Sequence, residues 1–200
     1  MTGYPVNLVV EGRRVLVVGG GRVAAGKVRR LVESGADVTV VAPDISDEIA
    51  AMNVTLERRP YAHGEVAGYR LAITATGTPV DAQVFAEGEA ASVWVNAADD
   101  PAHCSFTLPA VARRGPISVA VSTDGLSPAL ASWLRGRFES ELGPEYETLL
   151  GILLERRQAL RSEGTPTEGL AWREALDSGL LELVKQGRIV EARERLQACL

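Results

Sequence analysis

Cysteine is scarce in this sequence: only Cys104 and Cys199 occur, far apart and with no C-x-x-C pair, so neither a disulfide framework nor a structural zinc site is expected. Histidine is equally scarce. His103 and Cys104 follow Asp99 and Asp100, which invites a metal-site reading, but a stable transition-metal site needs several converging ligands. The other histidine, His63, lies in an expected loop, so no metal ligand is assigned and Cys104 is read as a small core residue. No run reaches the ~18 apolar residues of a membrane span, and the amino terminus lacks a basic start followed by a long apolar stretch. This speaks against a membrane or exported protein, and a cytoplasmic one is expected. Nor is there a surplus of positive charge. The formal net charge of -5 leaves no footprint for nucleic acid, so any anionic ligand must be met by local basic residues.

What is present is a hydrophobic content of 46% over 200 residues, which suits one large domain or one nucleotide-binding domain with an appendage. Residues 15–41 read VLVVGGGRVAAGKVRRLVESGADVTVV: an apolar run, a glycine turn, an amphipathic stretch and a second apolar run. These spell a strand, a phosphate-binding turn, a helix and a strand, the βαβ unit of a Rossmann fold. Gly19, Gly21 and Ala24 fill G-x-G-x-x-G/A. In that pattern one glycine makes the tight turn, the next lets backbone approach a pyrophosphate, and the small third residue packs helix on strand. A helix opening near Arg22 aims its free N–H groups and the positive end of its dipole at the phosphates.

Further strands are predicted at 38–41, 54–58, 71–74 and 93–95, with a helix over 80–91 between the last two. Right-handed crossovers then imply a parallel sheet. Residues 6–10 read as a short strand or a lead-in packing on that sheet. Beyond Pro101 the rhythm changes, and 105–108 and 117–122 read as two strands joined through 110–116. Ser127-Pro128 is an N-cap followed by proline at the first helical position, opening a helix that stops at Gly143-Pro144. The rest reads as helical: 145–162, a GTPTEG linker, then two helices broken at Gly187. Trp133, Trp172 and the leucines here are assigned to core or subunit packing, with no chemistry.

Asn96 and Asp99 fall just beyond the carboxyl end of the fifth strand, the edge of an open α/β sheet where ligands bind. An aspartate at a cofactor mouth can take a proton, and from the residues alone either Asp99 or Asp100 could do so. Cofactor choice rests on the second strand, where an acidic residue ordinarily holds the ribose 2′-hydroxyl. Here the strand ends in Ala42-Pro43 with Asp44 slightly beyond, and no arginine immediately follows to welcome a 2′-phosphate. NAD is therefore expected rather than NADP.

In order, the segments YPVNLVVEGRRVLVVGGGRVAAGKVRRLVESGADVTVVAP, ITATGTPVDAQV and VNAADDPAHCSFTLPAVARRGPISVAVSTDGLSPALASWLR, followed by a helical tail, resemble the precorrin-2 dehydrogenase / sirohydrochlorin ferrochelatase family. That module also forms the amino-terminal part of multifunctional siroheme synthases. The specificity lies in GGGxVA, N-x-x-D and AVSTxGxSP at these separations. The match runs from Tyr4 to about Leu142 and weakens after it; no methyltransferase segment follows, which reads as the stand-alone form.

The resemblance implies an α/β fold with a Rossmann-type parallel sheet, a small α/β dimerisation region and a helical C-terminal region, divided here as 1–112, 113–143 and 144–200. It implies a homodimer that oxidises precorrin-2 to sirohydrochlorin with NAD in sirohaem biosynthesis. Bifunctional members also insert ferrous iron, which is then a chelatase substrate. Asp99 matches the catalytic aspartate of N-x-x-D, with Asn96 beside the substrate. Arg22 and Val23 at the glycine turn and Pro43 and Asp44 at the second turn would line the cofactor, with Thr74 to Thr76 passing beneath it. The Ser122–Ser127 loop would lie beside the anionic tetrapyrrole, with Thr123 where some members have serine, although Ser127 taken alone need only start a helix. Arg113, Arg114, Arg135 and Arg137 offer forks for its carboxylates, Arg113 and Arg135 foremost. Two other readings fit the turn alone: a Rossmann oxidoreductase with a small polar substrate, or a non-catalytic NAD-sensing module.

Overall fold

The apolar runs become one parallel sheet in the computed structural model, which describes residues 3–200. Its strands are β1 (Arg14–Val18), β2 (Asp37–Val41), β3 (Thr55–Glu57), β4 (Leu71–Thr74) and β5 (Trp94–Ala97), in the order β3-β2-β1-β4-β5. That is the strand order of a Rossmann sheet, as expected. β1 is apolar without alternation because both its faces are covered. Val15 and Val17 pack in the cluster that holds Ala24, Ala25 and Val28 of helix α1 (Arg22–Glu33), whereas Leu16 and Val18 pack with Val84 of helix α3 (Val80–Ala91). The short helix α2 (Asp47–Ala50) follows β2. Because β2 and β4 flank β1 on opposite sides, the order reverses there and opens a crevice at the carboxyl edge.

Two sequence expectations need correction. Residues 6–10 form no strand; they run irregularly, with Val9 81% exposed, into a turn where the Gly12 N–H donates to the Gly35 carbonyl at 2.8 Å. Residues 105–108 form none either. Their polar groups are taken by β5: the Ser105 N–H donates to the Val95 carbonyl at 2.8 Å, and the Asn96 amide donates to the Phe106 carbonyl at 2.9 Å. The missing strand lies a few residues on. β6 (Ala110–Arg114) pairs antiparallel with β7 (Ile117–Val121), from Ala110↔Val121 to Arg114↔Ile117, around Gly115-Pro116. Gly115 sits at φ +52°, so a glycine-first turn matches the twist of the paired strands.

The chain divides into two units, one ending at Leu108 and the other spanning Pro109–Leu200. In the second unit, helix α4 (Pro128–Glu141) packs on both strands of the hairpin. Helices α5 (Glu145–Ser162), α6 (Trp172–Ala175), α7 (Leu181–Lys185) and α8 (Ile189–Cys199) enclose Leu149, Ile152, Leu180, Leu183 and Leu196. Gly187, at φ +73°, breaks α7 from α8 as expected, and Gly179, at φ +92°, adds a kink that periodicity did not reveal. Trp172 packs on this core, whereas Trp133 is 58% exposed, with the Arg137 guanidinium 5.2 Å from its ring centre. Trp133 is therefore no core residue of this unit. Among the described residues no helix is long and apolar enough to cross a membrane.

One carboxylate fastens the connection between β3 and β4. Glu87 of α3 accepts from the Tyr61 hydroxyl at 2.6 Å and the Gly64 N–H at 2.8 Å, and it meets Gln83 and His63 at 2.8 and 2.6 Å. Burial alone would raise this carboxyl, but the hydrogen bonds from Tyr61, Gln83 and Gly64 outweigh it and hold its pKa at about 2. A depressed carboxylate adds stability that is complete above its ordinary pKa of 4.5 and is lost as pH falls through about 2. Glu87→Ala should therefore lower unfolding free energy at pH 7 by about 1–3 kcal/mol, the scale of losing hydrogen bonds to a charged group. Denaturant titrations should show the gap between variant and wild type narrowing from pH 5 to pH 2, using that same carboxylate window.

Candidate active site

The glycine turn between β1 and α1 is built by contact of backbone on backbone. Gly19, at φ +124°, would place a Cβ 2.7 Å from the Ala75 carbonyl oxygen, and Gly20 would place one 2.0 Å from that of Asp44. Neither position accepts a side chain. Gly21 differs: nothing lies within 4 Å of its would-be Cβ, its φ is -88°, and it is the N-cap of α1. The sequence pattern named Gly19 and Gly21, but the tightest approach belongs to Gly20. Ala24 is fully buried as the small packing residue, while Arg22 and Val23 are exposed in the first turn of α1, which carries no acidic side chain. That helix end therefore presents N–H groups and a positive dipole end to an open approach, the arrangement that suits a pyrophosphate.

The loop after β2 wraps this turn. Pro43 and Asp44 are exposed, and the Ser46 N–H donates to the Gly20 carbonyl at 2.9 Å. After β4, Thr74 is fully buried and its hydroxyl lacks a partner among the described residues, so it lies beneath the edge rather than on it. Thr76 donates its hydroxyl to the buried Asp81 at 2.8 Å, and Asp81 also accepts from the Gly77 N–H at 2.9 Å. Sequence reasoning missed Asp81, whose first-turn position on α3 was the available signal.

Asn96 is buried, and its amide donates to the Phe106 carbonyl and lies 3.4 Å from Cys104 Sγ. It holds the chain that folds back on β5. Asp99 is exposed with φ +62°, a left-handed backbone that few side chains adopt and that costs of order 1–3 kcal/mol. Asp100 is engaged, with its Oδ2 2.6 Å from His103 Nδ1. Cys104 is half-buried with its sulfur between the Ala97 and Asp100 carbonyls, and burial pushes its thiol up. Lys27, not singled out from sequence, faces this corner from α1. Burial, with Arg30 adding to it, pulls its ammonium below the ordinary range, and the Asp99 carboxylate pushes back.

In the second unit, Asp124 and Gly125 take positive φ in the loop between β7 and α4. The Thr123 hydroxyl donates to the Ser127 carbonyl and accepts from the Ser127 N–H, both at 3.1 Å. Ser127 Oγ caps α4 through the Leu130 N–H at 3.2 Å, and Ser122 Oγ accepts from the Asp124 N–H at 3.2 Å. Arg113 is exposed on β6, Arg114 donates to the Leu142 carbonyl at 2.8 Å, and Arg135 pairs with Glu139 at 2.6 Å.

Fold, glycine turn and helix end together define a dinucleotide-binding protein. Residues 6–110 match the family described as "Putative NAD(P)-binding", and residues 114–141 match "Sirohaem biosynthesis protein central". The chain belongs to the putative NAD(P)-binding family, whose match takes in more than half of it, as the glycine turn implied. It is 36% identical over 206 residues to a siroheme synthase of Pseudomonas putida, covering 99% of this chain and 44% of that protein. A siroheme synthase of Nitrosococcus oceani is 33% identical over 207 residues, covering 100% and 44%. The chain thus spans less than half the length of the curated relatives it matches. A solved structure, SirC, precorrin-2 dehydrogenase, aligns over 98% of both chains with a TM-score of 0.69 and 28% identity.

The two inner glycines should separate by experiment. Gly20→Ala should disrupt folding, because its Cβ meets an immovable carbonyl, whereas Gly21→Asp should fold and lose dinucleotide binding as its carboxylate repels the pyrophosphate. Calorimetric titration with thermal melts tests both. Wild-type affinity in folded Gly21→Asp would overturn the assignment of this turn.

Proposed function

We propose that the chain oxidises precorrin-2 to sirohydrochlorin with NAD, within sirohaem biosynthesis. The observation that carries this is Asp99: an exposed carboxylate in a strained backbone, at the sheet edge that also presents the glycine turn. Oxidation removes a hydride and a proton from the reduced tetrapyrrole. A nicotinamide bound along the glycine turn would supply the hydride acceptor. Asp99 accepts the proton, and its freedom from the Asp100–His103 pair supports it as the base over Asp100. Asn96 positions it by holding the fold-back beyond β5. Gly19, Gly21, Arg22 and Val23 would line the pyrophosphate, with buried Ala24 packing the helix behind them, Pro43 and Asp44 at the ribose, and Thr76 below over buried Thr74.

Ser122, Thr123 and Ser127 order the loop that meets the substrate, and Arg113 offers an exposed fork for a carboxylate. Arg135 serves by exchanging Glu139 for a substrate carboxylate. In this reading the unit ending at Leu108 binds the dinucleotide, since the expected boundary at 112 would cut β6, while the chain from there to 143 serves substrate and dimer contacts and 144–200 form the helical region of a cytoplasmic homodimer. Exposed Leu130 and Trp133, three residues apart on α4, and exposed Leu126 in the loop before it support the pairing. Where ferrous iron is inserted as a second activity, it is a substrate, and solvent-exposed Asp99 takes the two displaced pyrrole protons one after the other, releasing each to water.

Enzymatically generated precorrin-2 supplied with NAD under anaerobic conditions, followed by absorbance, separates this reading from another oxidoreductase and from a non-catalytic sensor. Asp99→Ala should keep dinucleotide affinity and lower the rate roughly 100-fold, the scale for a lost general base. Asp100→Ala should do much less, and the reverse ranking would shift the base by one residue. Light scattering at micromolar concentration should report a dimer, because the two-stranded sheet β6-β7, although covered by α4, leaves the outer edge of each strand open to pairing. A monomer would contradict the pairing.

A further inference from the structure

We infer that Arg58 lets the adenosine end of the site accept a 2′-phosphate, so that the chain binds NADP as well as NAD; the inference rests on the dinucleotide reading of the glycine turn. Along the sequence no arginine follows β2. In space one does. β3 lies beside β2 with Val41 opposite Glu57, so Arg58 leaves its strand at the same edge where the loop of Pro43 and Asp44 begins. Its Nη1 donates to the Ile45 carbonyl at 3.2 Å, which fixes the guanidinium against that loop. The loop is itself fixed to the glycine turn, through Ser46 N–H to the Gly20 carbonyl and through the close approach of Gly20 to Asp44 and Ile45. Arg58 is therefore held in register with the turn that would carry the pyrophosphate.

Its charge is also available. The neighbouring Arg59 is consumed by Glu57 at 3.2 Å, Glu65 at 2.7 Å and the Pro60 carbonyl at 3.1 Å. Arg58 is exposed, and among the described residues it has no carboxylate within ion-pair distance and only the one carbonyl partner. Its remaining N–H groups form the planar fork that suits a phosphate. Asp44 and Asp47 lie exposed on the same loop and on the start of α2, and their negative charge opposes a phosphate while Asp44 suits a ribose hydroxyl. The site thus holds an acceptor for one cofactor form and a cation for the other, which makes discrimination shallow.

Titration of the purified protein with NAD and with NADP, read by heat or by intrinsic fluorescence, tests this without reference to turnover. Wild type should bind both. Arg58→Ala should weaken NADP roughly tenfold or more, the scale of a lost charge-assisted hydrogen bond, and leave NAD nearly unchanged. Arg58→Lys should fall between, and Asp44→Asn should tighten NADP. The lysine variant and thermal melts guard against a folding defect. Equal loss of both cofactors in folded Arg58→Ala, or wild type binding NAD but not NADP, would overturn the role of Arg58 alone. Wild type binding neither would overturn the dinucleotide reading with it.

Discussion

Backbone packed against backbone at Gly20 is the contact on which the rest of the ligand edge depends. With no side chain there, the Asp44 carbonyl closes over the turn and the Ser46 N–H reaches the Gly20 carbonyl. One contact sets two loops. The turn aims the start of α1, and the loop presents Asp44 and anchors Arg58 through Ile45. A methyl group at Gly20 would part them by more than an ångström, a distance no neighbouring backbone can yield without moving β2 as well.

Charge at this edge runs against the composition of the chain. The protein is acidic overall, yet the first turn of α1 has no carboxylate, while α2 carries Asp47 and Glu48 in its own. An acidic residue at the start of a helix is stabilising, so leaving it out of α1 forgoes a small gain and keeps the N–H groups open for an anion. Glu48 is in turn occupied by Arg29. The same division separates the adjacent aspartates: His103 claims Asp100, and Asp99 faces solvent with Lys27 as the nearby positive charge.

The Rossmann half was legible in the sequence because its signals are local. Strands buried on both faces appear as unbroken apolar runs, and β4, α3 and α5 fall on the residues that periodicity assigned. The helix start at Ser127-Pro128 was legible because capping is settled within one turn. Illegible parts have partners far along the chain. Residues 105–108 have strand-like composition, but β5 and the Asn96 amide take their polar groups, which no local pattern reveals. Arg58 reads as a surface arginine until β3 is laid beside β2, and Lys27 as an ordinary helix lysine until the fold-back after β5 brings the Asp99 charge to bear on it. Thr123 and Ser127 were singled out from the loop motif and Arg135 for its carboxylate-binding fork, and the structure assigns each an internal bond.

Strain at Asp99 persists because the segment carrying it is closed at both ends. The chain leaves β5 at Ala97, turns through Asp99 and the short helical turn Pro101–His103, and returns antiparallel at the Asn96↔Cys104 bridge. Ser105 makes a reciprocal pair with Val95, its N–H donating to the Val95 carbonyl and its hydroxyl accepting from the Val95 N–H at 3.2 Å. Asn96 reaches the Phe106 carbonyl, and Phe106 packs on the core beside α1. The half-buried Cys104 thiol donates to the Ala97 carbonyl inside the loop at 3.3 Å. These bonds make the loop short and over-determined, so the left-handed residue at its tip cannot relax without breaking several of them. Rigidity of that kind holds a carboxylate in one place before a substrate arrives, and the folded loop, rather than the binding event, then bears the cost of orienting it.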